Sequence, residues 1–224
     1  MDRLHRITLL VGENSVSKLQ QATVMVVGCG AVGSFAIEAL ARSGIGHLIL
    51  VDSDNVEESN INRQLFAMDS TLGKSKVDVA RQRIYDINPN IIVDTFNMFV
   101  DENNMPNVKP DFVIDAIDTV QSKIALYKWC SDNAIPFISS MGAARKTDVA
   151  QIKISNISKT SVCPLASKIR YLIRDLQLPN FPVVYSTENA AIQNNGGREF
   201  GSIITVTGIF GLMMADFVIK KLIQ

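Results

Sequence analysis

The stretch MVVGCGAVGS, Met25 to Ser34, sets Gly28, Gly30 and Gly33 in G-x-G-x-x-G spacing directly after an apolar run. A strand that turns sharply into a helix needs small residues at such fixed points, so this decapeptide constrains the fold more than any other segment. The turn also aims backbone N–H groups and a helix N-terminus at one spot, where a phosphate can sit. It does not distinguish a nicotinamide or flavin dinucleotide from ATP. Asp52, at the end of the next apolar run (His47–Val51), suits the ribose hydroxyls of either.

The periodicity around this turn alternates between strand and helix. Strands are predicted at Val24–Val27, His47–Val51, Ile91–Phe96, Asp111–Ile117 and Ile135–Ser140. Helices are predicted at Ser34–Arg42 (closed by Gly44), Lys74–Asn88 (stopped by Pro89) and Gln121–Asn133. This order implies an α/β, Rossmann-like, mainly parallel sheet with helices on both faces. In such sheets ligands sit beyond the carboxyl ends of the strands, where Gly28–Gly33, Asp52 and Asp118 all fall.

After Ser140 the pattern changes. A strand at Gln151–Ile154, a helix at Pro164–Leu176, a strand at Val183–Ser186, a turn at Gly196-Gly197 and an apolar helix at Ser202–Ile223 are predicted. No repeat or low-complexity tract appears. The expectation is one domain over residues 1–224, with a nucleotide-binding core over about 1–142 and a substrate-side strand-and-helix extension over 143–224. The last apolar run is interrupted by Thr205, Thr207 and Asp216 and is short for a span, so it reads as a buried helix, and no membrane is expected as a partner.

Composition adds exclusions. At 47% hydrophobic and 20% charged over 224 residues the chain should bury a substantial core. Lys plus Arg (22) equals Asp plus Glu (22), so bulk charge does not point to nucleic acid. The charge is uneven, however. Residues 145–174 hold seven bases (Arg145, Lys146, Lys153, Lys159, Lys168, Arg170, Arg174) and one acid, Asp148, which makes this segment +6 and the remainder −6. Three cysteines (Cys29, Cys130, Cys163) without a C-x-x-C pair, and only 2 histidines, argue against structural zinc. Unpaired thiols and no signal peptide fit a cytoplasmic protein.

The stretch VDSDNVEESNINRQLF decides the nucleotide. Asp52 and Asp54 are followed by Asn60, Asn62, Arg63 and Gln64. A dehydrogenase has no use for Arg and Asn just after its ribose acid. A triphosphate does, because the Arg fork matches phosphate oxygens. Lys76 opens the next helix and supplies a second cation. Asp118, in VIDAID, offers a hard oxygen to Mg²⁺. Two cations, a metal-holding acid and a glycine turn make a nucleotidyl-transfer site, with Arg63, Lys76 and Asp118 as its catalytic candidates. Asp54 reads equally as a site residue or a loop cap.

Together GCGAVGS, VDSDNVEESNINRQLF, LGKSKVDVA and DAID resemble the E1-like (ubiquitin-activating-like, ThiF) adenylating superfamily, over about Leu10 to Gly142. The resemblance implies ATP with Mg²⁺, adenylation of a carboxylate and release of pyrophosphate. It implies Gly28, Gly30, Ala31 and Gly33 against the nucleotide and Asp52 on its ribose. Asn60, Arg63, Gln64 and Lys76 would contact phosphates, and Asp118 would hold the metal. It also implies a homodimer, in which Arg6 of the entry segment HRITLLVGENS reaches the neighbour's triphosphate.

The second half, from SSMGAARKTDVAQ through CPLASKIR to VVYSTE, resembles the tRNA threonylcarbamoyladenosine dehydratase branch. Departures from that pattern are Val149 in place of Pro and Cys163 in place of Asp. The loop between Glu188 and Ser202 is also short, in a region that often carries a cysteine. The implied reaction is ATP-dependent cyclisation of N6-threonylcarbamoyladenosine in tRNA through adenylation of its carboxylate. It needs no thioester, so Cys163 reads as a buried thiol. The basic segment would track tRNA phosphates, with Arg145 and Lys146 as the substrate contacts. The alternative is adenylation of the C-terminal glycine of a ubiquitin-like sulfur-carrier protein. A reading of another class is a nucleotide-binding scaffold that serves a sulfur-transfer partner such as a cysteine desulfurase. Oxidoreduction with NAD leaves NINRQ without a role.

Overall fold

The computed structural model describes residues 2–191 and 200–224, so the turn expected at Gly196-Gly197 lies outside the described residues. Two helices come first, α1 (His5–Val11) and α2 (Glu13–Gln21). The alternating part follows as β1 (Thr23–Val27), α3 (Gly33–Ser43), β2 (His47–Val51), α4 (Lys76–Ile87) and β3 (Ile92–Phe96). It continues with β4 (Phe112–Asp115), α5 (Val120–Asp132) and β5 (Phe137–Ser140). Then come β6 (Ile152–Asn156), α6 (Pro164–Asp175), β7 (Pro182–Ser186) and α7 (Ile204–Ile223).

The strands form one 7-stranded sheet in the order β3-β2-β1-β4-β5-β7-β6. All pairings are parallel except β6 with β7. The chain winds outward from β1 to β3 on one side, then restarts at β4 and winds the other way. The direction reverses between β1 and β4, and the loops leaving their carboxyl ends therefore splay apart and open a crevice. The architecture is α/β and Rossmann-like.

The strands read as apolar runs because a parallel sheet is covered on both faces. One face carries a core of α3, α4 and α7 residues, including Ala36, Ile37, Leu40, Ala80, Ile84, Phe210 and Met214. The other packs Leu126, Tyr127, Cys130, Ile169 and Phe181 over Met25, Val113 and Val183. Helix α7 buries Val206, Phe210, Met214 and Val218, spaced four apart as one stripe. It lies close on α3: a Cβ on Gly211 would stand 2.2 Å from the Val32 carbonyl oxygen. No helix among the described residues is long and apolar enough to cross a membrane.

Several boundaries differ by one or two residues from expectation, and two have clear local reasons. Strand β4 stops at Asp115 rather than Ile117 because the Asp115 carboxylate accepts the Ile117 amide at 3.0 Å and turns the chain. Helix α4 starts at Lys76 rather than Lys74 because Ser75 pairs with Asn55 in an antiparallel bridge. Helix α1 has no counterpart in the sequence reading. It buries no residue, and Leu9 and Leu10 are 70% and 83% exposed, so no apolar stripe announces it.

The second core face also holds charge. Asp115 and Lys123 are both 0% exposed, with Lys123 Nζ 2.7 Å from Asp115 Oδ2. Lys123 also donates to the Ser140 carbonyl (2.8 Å) and Ser139 Oγ (3.3 Å), while Tyr127 OH and Ser139 Oγ donate to the same Asp115 oxygen. Burial and the adjacent Asp115 carboxylate push the Tyr127 phenol well above its ordinary range, so it stays a donor. Removing one partner strands a buried charge. Lys123→Met is therefore expected to destabilise the fold by about 3–5 kcal/mol in denaturant titration, with part of the loss recovered when Asp115 is made apolar as well.

Candidate functional site

The crevice at the β1–β4 reversal is built from four strand exits. Gly28 leaves β1 at φ +94°, and its amide donates to the Val51 carbonyl at 2.8 Å, joining the β1 and β2 exits. A Cβ there would meet the Ala116 carbonyl oxygen at 2.6 Å, beyond the end of β4. A Cβ on Gly33 would meet the Gly28 carbonyl oxygen at 1.7 Å. Both glycines are therefore demanded by the chain's own backbone. Gly30 is not: a Cβ there would find only the flexible Gln64 amide, at 3.6 Å. Gly30 therefore has room that Gly28 and Gly33 lack, and α3 begins three residues on. Ala31 lies in the same turn.

Asp52 sits at the exit of β2 and locks the turn. Its Oδ2 accepts the Cys29 amide at 2.6 Å and its Oδ1 the Asp54 amide at 2.8 Å. Burial raises its carboxyl above the ordinary value, against those two amide bonds, which lower it. The Cys29 thiol is pushed far up by burial and by the Asp52 charge, and is inert.

The cations arrive by two routes. The Asp54–Val56 segment pairs with the chain before α4, with the Lys76 amide 3.0 Å from the Asp54 carbonyl. This folds Lys76 back to the β2 exit. Its ammonium is 2.7 Å from Asp54 Oδ2, and its side chain is 9% exposed against 64% for Asp54. Asp54 thus holds the lysine in place while remaining open to solvent. Arg63 comes from the turn that follows a short 3-10 helix, Glu58–Asn60, in which Asn60 Oδ1 accepts the Glu57 amide at 3.2 Å. Arg63 Nη1 is steadied by the Ser59 carbonyl (2.6 Å) and Asn62 Oδ1 (2.9 Å). Gln64, 9% exposed, lies beside Gly30.

Asp118 is exposed on the turn after β4. The buried Asp115–Lys123 network shapes that turn from beneath, and the same lysine ties down Ser140 at the exit of β5. This network was not foreseen from sequence; its one signal is Lys123 and Tyr127 four apart on an otherwise apolar helix face.

The remaining candidates are Arg6, Arg145 and Lys146. Arg6 lies exposed on α1. Lys146 is 4% exposed, and its ammonium donates to the Glu188 carbonyl. Arg145, at φ 61°, uses its groups within the chain. Its amide donates to the Gly201 carbonyl at 2.9 Å, its carbonyl accepts the Ala191 amide at 2.9 Å, and its Nε donates to the Ala191 carbonyl at 2.8 Å. Glu188 caps the same region, accepting the amides of Asp148 (3.0 Å) and Thr147 (3.0 Å), which hold its carboxyl low. Cys163 is 2% exposed, with its sulfur 3.5 Å from where a Gly142 side chain would begin.

Comparison with known proteins agrees with this geometry. The ThiF family model matches residues 2–224. The chain is 39% identical over 243 aligned positions to the tRNA threonylcarbamoyladenosine dehydratase of Bacillus subtilis, covering 100% of this chain and 96% of that one. Crystal structures of the E. coli tRNA N6-threonylcarbamoyladenosine dehydratase superpose with TM-scores of 0.93 (AMP complex) and 0.92 (ATP complex), at 36% identity over 98% of this chain and 93% of that one. Likeness to the molybdopterin-synthase adenylyltransferase of Haemophilus influenzae, 36% identical, reaches only 57% of this chain. The full-length match and the crevice at the sheet's reversal lead to one conclusion: this chain belongs to the ThiF family of E1-like proteins.

Proposed function

We propose that this chain catalyses the ATP-dependent dehydration of N6-threonylcarbamoyladenosine in tRNA. The observation that carries the reading is the reach of the likeness. The Bacillus subtilis dehydratase matches end to end, over 100% of this chain and 96% of its own length at 39% identity. The Haemophilus influenzae molybdopterin-synthase adenylyltransferase covers only 57% of this chain, and the Culex quinquefasciatus adenylyltransferase and sulfurtransferase, which covers 94% of it at 31% identity, is matched over only 44% of its own length.

The chemistry follows from the charges at the crevice. A carboxylate oxygen of the threonylcarbamoyl group attacks the α-phosphorus of ATP, and pyrophosphate leaves. An internal oxygen or nitrogen of the same group then attacks the activated acyl carbon, and AMP leaves. The nucleoside loses one water, whose elements end in AMP and pyrophosphate. Arg63 and Lys76 stand where negative charge grows, and both are held before the reaction starts. The Gly28–Gly33 turn and α3 receive phosphate, and Asp52 faces the ribose; Asn60 and Gln64 complete the lining.

Among the described residues no three metal-binding side chains cluster. That suits an ion taking most of its ligands from a triphosphate and water. Asp118, a free carboxylate at the rim, is the residue that would hold Mg²⁺; the ion, when bound, offsets phosphate charge. All three thiols are buried, so acyl transfer to cysteine has no accessible acceptor on this chain. We place the enzyme in the cytoplasm as a homodimer of single-domain chains, with Arg6 of α1 as the residue that reaches the neighbouring site.

Incubation with ATP, Mg²⁺ and tRNA carrying threonylcarbamoyladenosine, followed by digestion and mass spectrometry, should give a nucleoside lighter by one water only when ATP is present. An unchanged nucleoside would refute the reading. Arg63→Ala and Asp118→Ala should each cost on the order of 100-fold or more in turnover. Cys163→Ala should retain most of it. Gly30→Ala should fold normally, since its Cβ meets only Gln64, yet raise the KM for ATP about tenfold by intruding on the phosphate.

A further inference from the structure

The basic segment divides once it is folded. Its first two residues, Arg145 and Lys146, are tied into the chain. On α6 the charge instead faces outward, beside an open cavity of about 560 Å³ on the opposite face from α7. Ser158, Ser167, Arg170, Tyr171, Arg174 and Asn180 line it, over an apolar floor of Ile173 and Leu178. Ser167, Arg170, Tyr171 and Arg174 stand three, four and seven apart, which puts them on one helix face.

Three features suit this cavity to a nucleotide chain. Arg170 is anchored by one edge, where Nη1 donates to the Thr160 carbonyl at 3.0 Å, so its fork is pre-set. Arg174 forms no ion pair among the described residues; even its neighbour Asp175 does not engage it. Its guanidinium lies 5.7 Å from the Tyr171 ring centre. Tyr171 is 62% exposed, a large aromatic surface with no packing role in the core. Arginine forks beside an exposed aromatic ring match the phosphates and base faces of single-stranded RNA. No acid lines the cavity, so a chain of phosphates meets its two arginines unopposed, and the bases of that chain give the exposed ring a stacking partner that a lone anion lacks.

The position relates the cavity to the reaction. Helix α6 starts at Cys163, against Gly142 at the exit of β5, and runs away from the crevice. At about 1.5 Å per residue, Arg170 and Arg174 lie roughly 10 and 17 Å along it. The cavity would therefore meet RNA some distance along the strand from the reacting nucleotide.

We propose that the Arg170–Tyr171–Arg174 face of α6 is a second RNA subsite, which grips the substrate strand away from the modified base. The proposal rests on the tRNA reading above. It is tested with Tyr171→Ala, Tyr171→Phe and Arg174→Glu in the full chain, all at exposed positions outside the catalytic machinery.

Binding of tRNA is followed by anisotropy across a salt series, together with dehydration kinetics and ATP binding. Tyr171→Ala should weaken tRNA binding about tenfold and Tyr171→Phe hardly at all. Arg174→Glu should weaken it at least tenfold and lower the salt slope by about one ion. KM for tRNA should rise in both weakened variants, while kcat at saturating tRNA and ATP affinity stay unchanged. Wild-type protein that neither binds nor dehydrates tRNA would defeat the tRNA reading itself. Active wild type with unaltered variants would overturn this subsite alone. A change of oligomeric state in Arg174→Glu with tRNA affinity intact would assign the face to contact between copies and also overturn it.

Discussion

The crevice depends on one close approach of backbone to backbone. The turn after β1 lies so near the exit of β4 that Gly28 has no room for a side chain, and α3 starts so close over the turn that Gly33 has none against the Gly28 carbonyl. That approach allows strand, turn and α3 to meet at the reversal of the sheet, with the α3 N-terminus aimed outward. Asp52 then fastens the β2 exit to the same turn through the Cys29 amide. The candidate phosphate contacts are referred to this frame. Lys76 reaches it through the pairing of Asp54–Val56 with the chain before α4, and Gln64 lies directly beside Gly30.

Beneath the frame a second device fixes the other half of the crevice. A carboxylate and an ammonium removed from water cost several kcal/mol each unless their hydrogen-bonding capacity is filled. Asp115 accepts from Lys123, Tyr127, Ser139 and the Ile117 amide, and Lys123 is shared between Asp115 and the Ser140 carbonyl. A hydrophobic replacement could match this in stability but could not join two loop exits. The network therefore sets the shape of the turn carrying Asp118 relative to the β5 exit, where Gly142 meets Cys163 and the start of α6.

The sheet was legible in the sequence because parallel strands buried on both faces appear as unbroken apolar runs, as in Val24–Val27 and His47–Val51. The crevice at the sheet's reversal was legible because its candidate residues lie in short, ordered stretches at strand ends. What stayed hidden was pairing across the fold. Nothing in the spacing of Asp54 and Lys76 says that one holds the other, and Asp115 and Lys123 read as one more acid at a strand end and one more helix base. Helix α1 was invisible because it contributes no stripe to the core.

The basic segment shows why charge counted along a chain misplaces function. Lys146 and Arg174 add equally to the +6 of residues 145–174, yet burial separates them. Lys146 is 4% exposed and its ammonium must be satisfied from within, so the Glu188 carbonyl takes it and its charge goes to holding a loop. Arg174, on the outer face of an amphipathic helix, is free of any such demand and keeps its fork for a partner. The feature that separates them is position relative to the core stripe Ala166, Ile169 and Ile173. Residues on that stripe belong to the fold, and those opposite it, Tyr171 and Arg174, are available to what the fold recognises.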